Sequence, residues 1–314
     1  MSDYLWDKSG APDPEIERLE TLLAPLAHKA GSAPELRTRR PLYFALAIAA
    51  SVTMVAGAVW MIRQRSRPAW TVAGMPSVTR LAKGDSLQTN ATTRASLGME
   101  SVGEVDIEPN SRVDVLAVRP DEQRLALRRG KMEARIWAPP GRFFVNTPSA
   151  VTVDLGCAYS LEVQPDGTGL VKVSVGWVAF ESDGRESFIP ATAACITRPG
   201  KGPGTPWYED APEAFQKALE RFDERGDVGA IDTILGTARA RDAITLWHLL
   251  RRVPADRRGV VYDRLAQFIA VPPDVTREGI LAGDPKMIDA LWDTLDLGNT
   301  AWWRLWKSKT PAGK

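Results

Sequence analysis

The chain has 314 residues, with 40 lysines and arginines against 39 aspartates and glutamates, and a formal net charge of +1. That balance gives no global pull toward nucleic acid or an acidic partner, and the length leaves room for more than one domain. Two histidines and two cysteines sharply limit the available metal and nucleophile chemistry.

Residues 1–40 read as a short-helix segment. Asp13 is a good N-cap, Pro14 suits the first helical position, and Ile16, Leu19, Leu22, Leu23 and Leu26 recur at helical spacing on one face. Pro25 ends or bends this helix near Ala24. A helix of about ten residues is marginal alone in water, so the apolar face, helped by Tyr4, Leu5 and Trp6, needs a cover. A protein partner, a second copy of the chain or a membrane surface would each supply one. Membrane-surface helices usually carry basic residues on the polar face, whereas this one carries Glu15, Glu17 and Glu20, which favours a protein partner. A poorly ordered tail is the plain alternative.

From Leu42 to Ile62 there are 21 residues without a charge, bracketed by Arg37, Arg39 and Arg40 before and Arg63, Arg65 and Arg67 after. At about 1.5 Å per residue such a run matches the roughly 30 Å of a bilayer's hydrocarbon core, so a single transmembrane helix is expected over 41–63. The run is too long and too far from the N-terminus for a cleavable signal peptide. Basic residues close to the run are equal in number on its two sides, Lys29, Arg37, Arg39 and Arg40 against Arg63, Arg65, Arg67 and Arg80, so charge gives no orientation. Cys157 and Cys195 both follow the run, where an oxidising compartment could pair them. That placement favours an N-terminus in the cytoplasm, a single pass and about 250 residues outside.

Residues 70–199 change character to short runs punctuated by glycine, proline and asparagine. Residues 113–118, 124–127, 132–136, 151–155, 159–163 and 171–175 alternate apolar with polar at a period near two, as strands with one solvated face do. Asp166-Gly167, Asp183-Gly184 and Pro109-Asn110 are turn signals. An all-β domain follows, either a sandwich or a β-solenoid. The Gly/Pro-rich stretch 200–207 reads as a linker. Beyond it, residues 208–314 carry apolar stripes at helical spacing: Phe215, Leu219 and Phe222, then Ile231, Ile234 and Leu235, then Ile244, Trp247 and Leu250. Val261, Leu265, Phe268 and Ile269 continue the pattern, and Asp284-Pro285 opens a last helix. These predict an all-α bundle or a stack of helical hairpins.

The order of motifs Phe144-Val-Asn-Thr-Pro148, Val151-Thr-Val-Asp-Leu-Gly156-Cys-Ala-Tyr159-Ser-Leu-Glu-Val163 and Val171-Lys-Val-Ser-Val-Gly176-Trp-Val-Ala-Phe180 resembles the FecR domain, and Leu125 to Ala134 fits the same pattern. The resemblance covers about residues 78–199. It implies a signal transducer spanning a bacterial inner membrane, whose cytoplasmic N-terminal segment regulates an extracytoplasmic-function sigma factor while the periplasmic domain receives a signal. The chain departs from the pattern where the family commonly has Gly-Thr-x-Phe and this sequence has Gly156-Cys-Ala-Tyr159. Its N-terminal segment is also shorter than the family's full anti-sigma domain.

No catalytic constellation can be assembled. His28 and His248 fall on opposite sides of the expected span, no nucleotide-binding glycine motif occurs, and Cys157 and Cys195 lack the partners of a zinc site. The expectation is a non-enzyme without metal or cofactor. Cys157 and Cys195 either pair, closing a loop worth roughly 4 kcal/mol, or stay as buried thiols. His248 is expected to be a hydrogen-bonded histidine on a helix face. The candidate partner-binding residues are Trp6, Ile16, Leu19, Leu22, Leu23 and Leu26. Two functions remain open, a transducer that controls a sigma factor and an envelope scaffold with no transcriptional role.

Overall fold

A computed structural model describes residues 13–27, 49–58, 60–61, 68–182, 184–298 and 300. The chain divides into two compact units, residues 1–65 and 66–314.

In the first unit the Asp13 carboxylate accepts the Glu15 main-chain N–H at 3.0 Å and opens helix α1, Pro14–Leu23, with Pro14 in its first turn. A short 3-10 turn, Ala24–Leu26, follows, because Pro25 has no N–H to continue the α-helical ladder. The expected transmembrane helix over 41–63 is not found. Among the described residues no helix is long and apolar enough to cross a membrane. The described helical residues of that stretch are 49–58 and 60–61. Residues 41–48, 59 and 62–63 of that expectation lie outside the described residues.

The second unit begins with strands β1 Ala69–Ala73, β2 Arg80–Ala82, β3 Ser86–Gln88, β4 Ala95–Met99, β5 Gly103–Ile107, β6 Arg112–Arg119, β7 Glu122–Ile136 and β8 Phe143–Asn146. It continues with β9 Val151–Asp154, β10 Ala158–Val163, β11 Gly169–Val175, β12 Trp177–Ser182, β13 Arg185–Pro190, β14 Ala193–Arg198, β15 Gly202–Pro203 and β16 Trp207–Tyr208. These strands make two sheets that share β7. Its first half pairs antiparallel with β6 and parallel with β8, and that sheet runs on through β9 and β12 to β13. Its second half pairs with β5 and β10, and that sheet runs on through β11 to β14. The strand changes sheets at Gly130, where φ is +89° and an added Cβ would lie 2.5 Å from Ser111 Cα. Only glycine fits such a crossing. Pairing is antiparallel apart from β7 with β8, so the strands form no solenoid.

Side chains alternate between core and solvent along β4 and β6, as the period-two pattern requires. The core does not stop at the sheets. Helices α2 Glu213–Arg225, α3 Ala230–Thr237, α4 Ala243–Leu250, α5 Ala255–Leu265, α6 Arg277–Ala282 and α7 Pro285–Ala290 share one hydrophobic cluster with the strands. Trp292 joins the two regions, with ring centroids 5.8 Å from Trp177 of β12, 5.5 Å from Phe188 of β13 and 4.9 Å from Trp247 of α4. The helices therefore form no separate bundle. The stretch 200–207 is also not a free linker: β15 and β16 both pair with β14, and Pro203 to Pro206 are buried. Its glycines serve close approach, since a Cβ on Gly204 would lie 2.9 Å from both Asp223 Oδ2 and the Ile196 carbonyl oxygen.

Candidate docking face and the buried polar junction

Helix α1 and the 3-10 turn after it carry all but one of the residues assigned to partner binding. Its spacing puts Leu19, Leu22, Leu23 and Leu26 on a face that is 57%, 66%, 57% and 79% exposed, and Ile16 is half-buried. The helix buries no residue. Glu15 and Glu17 stand in the first turn, where carboxylates suit the positive end of the helix dipole, and Thr21 Oγ1 donates back to the Glu17 carbonyl at 2.8 Å. Trp6 lies outside the described residues. The structure thus keeps four leucines of the proposed set together on one exposed face.

Cys157 and Cys195 are not brought together. Both are free and buried. Cys157 precedes β10, Cys195 lies in β14, and β11 runs between those strands, with Ala158 opposite Val175 and Val171 opposite Cys195. Two strand spacings across and about five residues along give a separation of about 19 Å, beyond the roughly 7 Å Cα limit of a disulfide. The Cys157 thiol instead donates to Asp154 Oδ2, while Asp154 Oδ1 accepts the Gly156 N–H at 2.7 Å. Burial raises Asp154 to about 7, against the pull of those two donors. Tyr159, in place of the family's usual phenylalanine, has its hydroxyl buried without a hydrogen-bond partner. Burial pushes the Cys195 thiol up to about 12; its Sγ lies 3.2 Å from the Gly204 carbonyl oxygen.

A second polar arrangement joins the sheet to the helices. β13 pairs only with β12 and would present a free edge. Side chains from α4 and the residues after it cover that edge. The Phe188 main-chain N–H donates to His248 Nε2 at 3.0 Å. Arg252 donates to the Glu186 carbonyl at 2.9 Å, to Ser187 Oγ at 2.7 Å and to Thr205 Oγ1 at 2.7 Å. Asp223 of α2 completes the junction, accepting the Thr205 N–H at 2.5 Å and its hydroxyl at 3.0 Å, with Arg185 at 3.4 Å. Burial lowers Arg252 to about 10, which leaves it charged at neutral pH. Beside these groups lies a cleft of about 370 Å³ lined by Arg185, Glu186, His248 and Arg251, among others. Sequence reasoning gave His248 a hydrogen bond on a helix face but missed the Asp223, Thr205 and Arg252 contacts. Thr205 sits in a Pro/Gly-rich stretch, and nothing local marks it as buried.

Among the described residues no group of three or more histidine, cysteine, aspartate or glutamate side chains is placed to hold a metal ion. Residues 85–179 match the FecR protein family. The FecR segment runs from just before β3 into β12. It therefore contains the shared strand β7, the Gly130 crossing and the Asp154–Cys157 pair. The covered strand β13 and helices α2 to α7 lie beyond it. No curated protein matches the chain. Two solved structures of a candidate anti-sigma factor from Parabacteroides distasonis, at 1.65 Å and 2.50 Å resolution, are similar at 15% identity and a TM-score of 0.36. Each match covers 44% of this chain, and 65% and 64% of the two solved chains, respectively.

Proposed function

We propose that this chain regulates transcription through protein binding, with α1 docking its leucine face in an apolar groove of an extracytoplasmic-function sigma factor. The observation that carries the reading is the exposure of Leu19, Leu22 and Leu23 on a helix that buries nothing of its own, and of Leu26 in the turn after it. A helix this short gains little from its backbone, so a partner's groove is the natural source of its stability. The acidic residues of its first turn suit a groove with a basic rim. The FecR segment supports the choice of partner class, because the regulation of such sigma factors is what that resemblance implies. The reading is non-catalytic.

The test is calorimetric titration of the full chain with each extracytoplasmic-function sigma factor of the source organism, purified singly. One of them should bind. Burying a leucine contributes about 1.5 to 3 kcal/mol, and 1.4 kcal/mol is tenfold, so Leu19→Asp and Leu23→Asp should each weaken binding at least tenfold. Glu17→Ala should change it little. If no sigma factor binds, or if the leucine variants bind as the wild type does, the regulatory reading fails and a scaffold role takes its place.

A further inference from the structure

One of the two side chains that cover the edge of β13 can be switched by a proton. His248 is 3% exposed, and its Nδ1 lies 2.8 Å from the Ile244 carbonyl oxygen. The Phe188 N–H can be accepted only by an unprotonated nitrogen, so Nε2 carries the lone pair and Nδ1 carries the proton donated to Ile244. A second proton on the ring would set one donor against another. The ring is also confined, with Trp247 edge-on at 4.9 Å and Phe188 tilted at 6.3 Å between centroids.

The charges around the ring resist that proton. Arg251 and Arg252 face it from the segment after α4, Arg185 and Glu186 from β13, and Asp223 from α2 through Thr205 and Arg185. Asp289 of α7 is bonded to Arg251, and the Cys195 thiol of β14 is held neutral by burial. Burial, reinforced by Arg252, keeps the imidazolium form well below the usual histidine range. The adjoining cleft gives water a route to the ring once the contact opens.

We propose that the contact between His248 and Phe188 is an acid-released latch, in which protonation of His248 breaks its bond to the Phe188 N–H and leaves that part of the edge of β13 open. The sign follows from linkage. The ring takes a proton more readily in the opened state than in the closed one, so closure is fully favoured above about pH 6.5 and weakens below it. The opened fraction then grows about tenfold per pH unit until the closed form also titrates. The latch does not depend on α1 or its partner.

Hydrogen exchange of the Phe188 amide in the full chain, corrected for intrinsic rates, tests this between pH 7.5 and 4.5. Protection in the wild type should fall about tenfold per unit below about pH 6. In His248→Gln, whose side-chain oxygen can accept the same N–H without titrating, protection should stay level. Equal pH dependence in the two proteins would overturn the proposal. A wild-type measurement covers the case in which the variant does not fold. The ring-nitrogen shifts of His248 at pH 7.5, distinguished from those of His28, should be those of a neutral ring protonated on Nδ1. A ring protonated on Nε2 there would equally contradict the latch.

Discussion

Helices α1 and α4 have ten and eight residues, and neither is long enough to be stable alone in water. They are nonetheless treated in opposite ways. All eight residues of α4 are buried, from Ala243 to Leu250, whereas α1 buries none. The difference lies in what each can lean on. α4 has the edge of β13, to which His248 bonds directly and which Arg252 just beyond the helix also covers, and it has the Trp292 ring against Trp247. α1 holds its shape by local devices, an Asp13 cap, a proline in its first turn and a 3-10 stop, which fix a helix without covering its leucines. A short helix with its apolar face open is therefore read here as half of an interface.

The strongest way to break this comparison is to remove the main anchor of α4. Trp247→Ala deletes a 1% exposed ring and its hydrogen bond to the Ile288 carbonyl, and should cost about 3–5 kcal/mol in urea unfolding. A cost below about 1 kcal/mol would mean that α4 is not held as described. The next effect separates the FecR segment from the α4 junction by pH. Asp154, raised from 3.8 to about 7, keeps in the fold a proton that the unfolded chain releases. Its contribution is fully present below about pH 4 and is lost as pH rises through 7, the reverse of the His248 dependence. Asp154→Asn should therefore gain stability on the order of a few kcal/mol at pH 8 and change little at pH 4. The loss of Phe188 protection in acid should remain untouched.

A smaller effect comes from Tyr159→Phe, which removes a buried hydroxyl with no partner and should stabilise the chain by about 1 kcal/mol in thermal unfolding. The smallest belongs to α1. Leu23→Asp should move the unfolding midpoint by no more than about 0.5 kcal/mol, because an exposed side chain has no core to leave. A large loss would show that the leucine face is already covered in the free chain.

What was legible in the sequence was local. The Asp13-Pro14 start and the Pro25 stop of α1, the alternation along β4 and β6, and the stripe Phe215, Leu219 and Phe222 all depend on neighbours within a turn or a strand. What it did not carry depended on partners far along the chain. Whether Cys157 and Cys195 pair or stay as buried thiols is a matter of strand register, and the intervening β11 keeps them apart as free thiols. The stretch 200–207 has a linker's composition, yet Gly204 is small to let Asp223 and β14 approach. The apolar run from Leu42 to Ile62 set a length by composition alone, and among the described residues no helix is long and apolar enough to cross a membrane. α6 has six residues, too few to show a helical repeat, and is marked only by its Thr276 cap and the left-handed Gly283 that ends it. The contact between His248 and Phe188 joins residues 60 positions apart, which no periodicity reveals.

The central claim, that α1 is an interface awaiting its partner, is tested most directly by hydrogen exchange of the α1 amides in the free chain and in its complex with the sigma factor it binds. The account predicts fast exchange over Glu17 to Leu23 in the free chain and at least tenfold slowing in the complex. Slow exchange already present in the free chain, or a stable complex that leaves those amides unchanged, would contradict it.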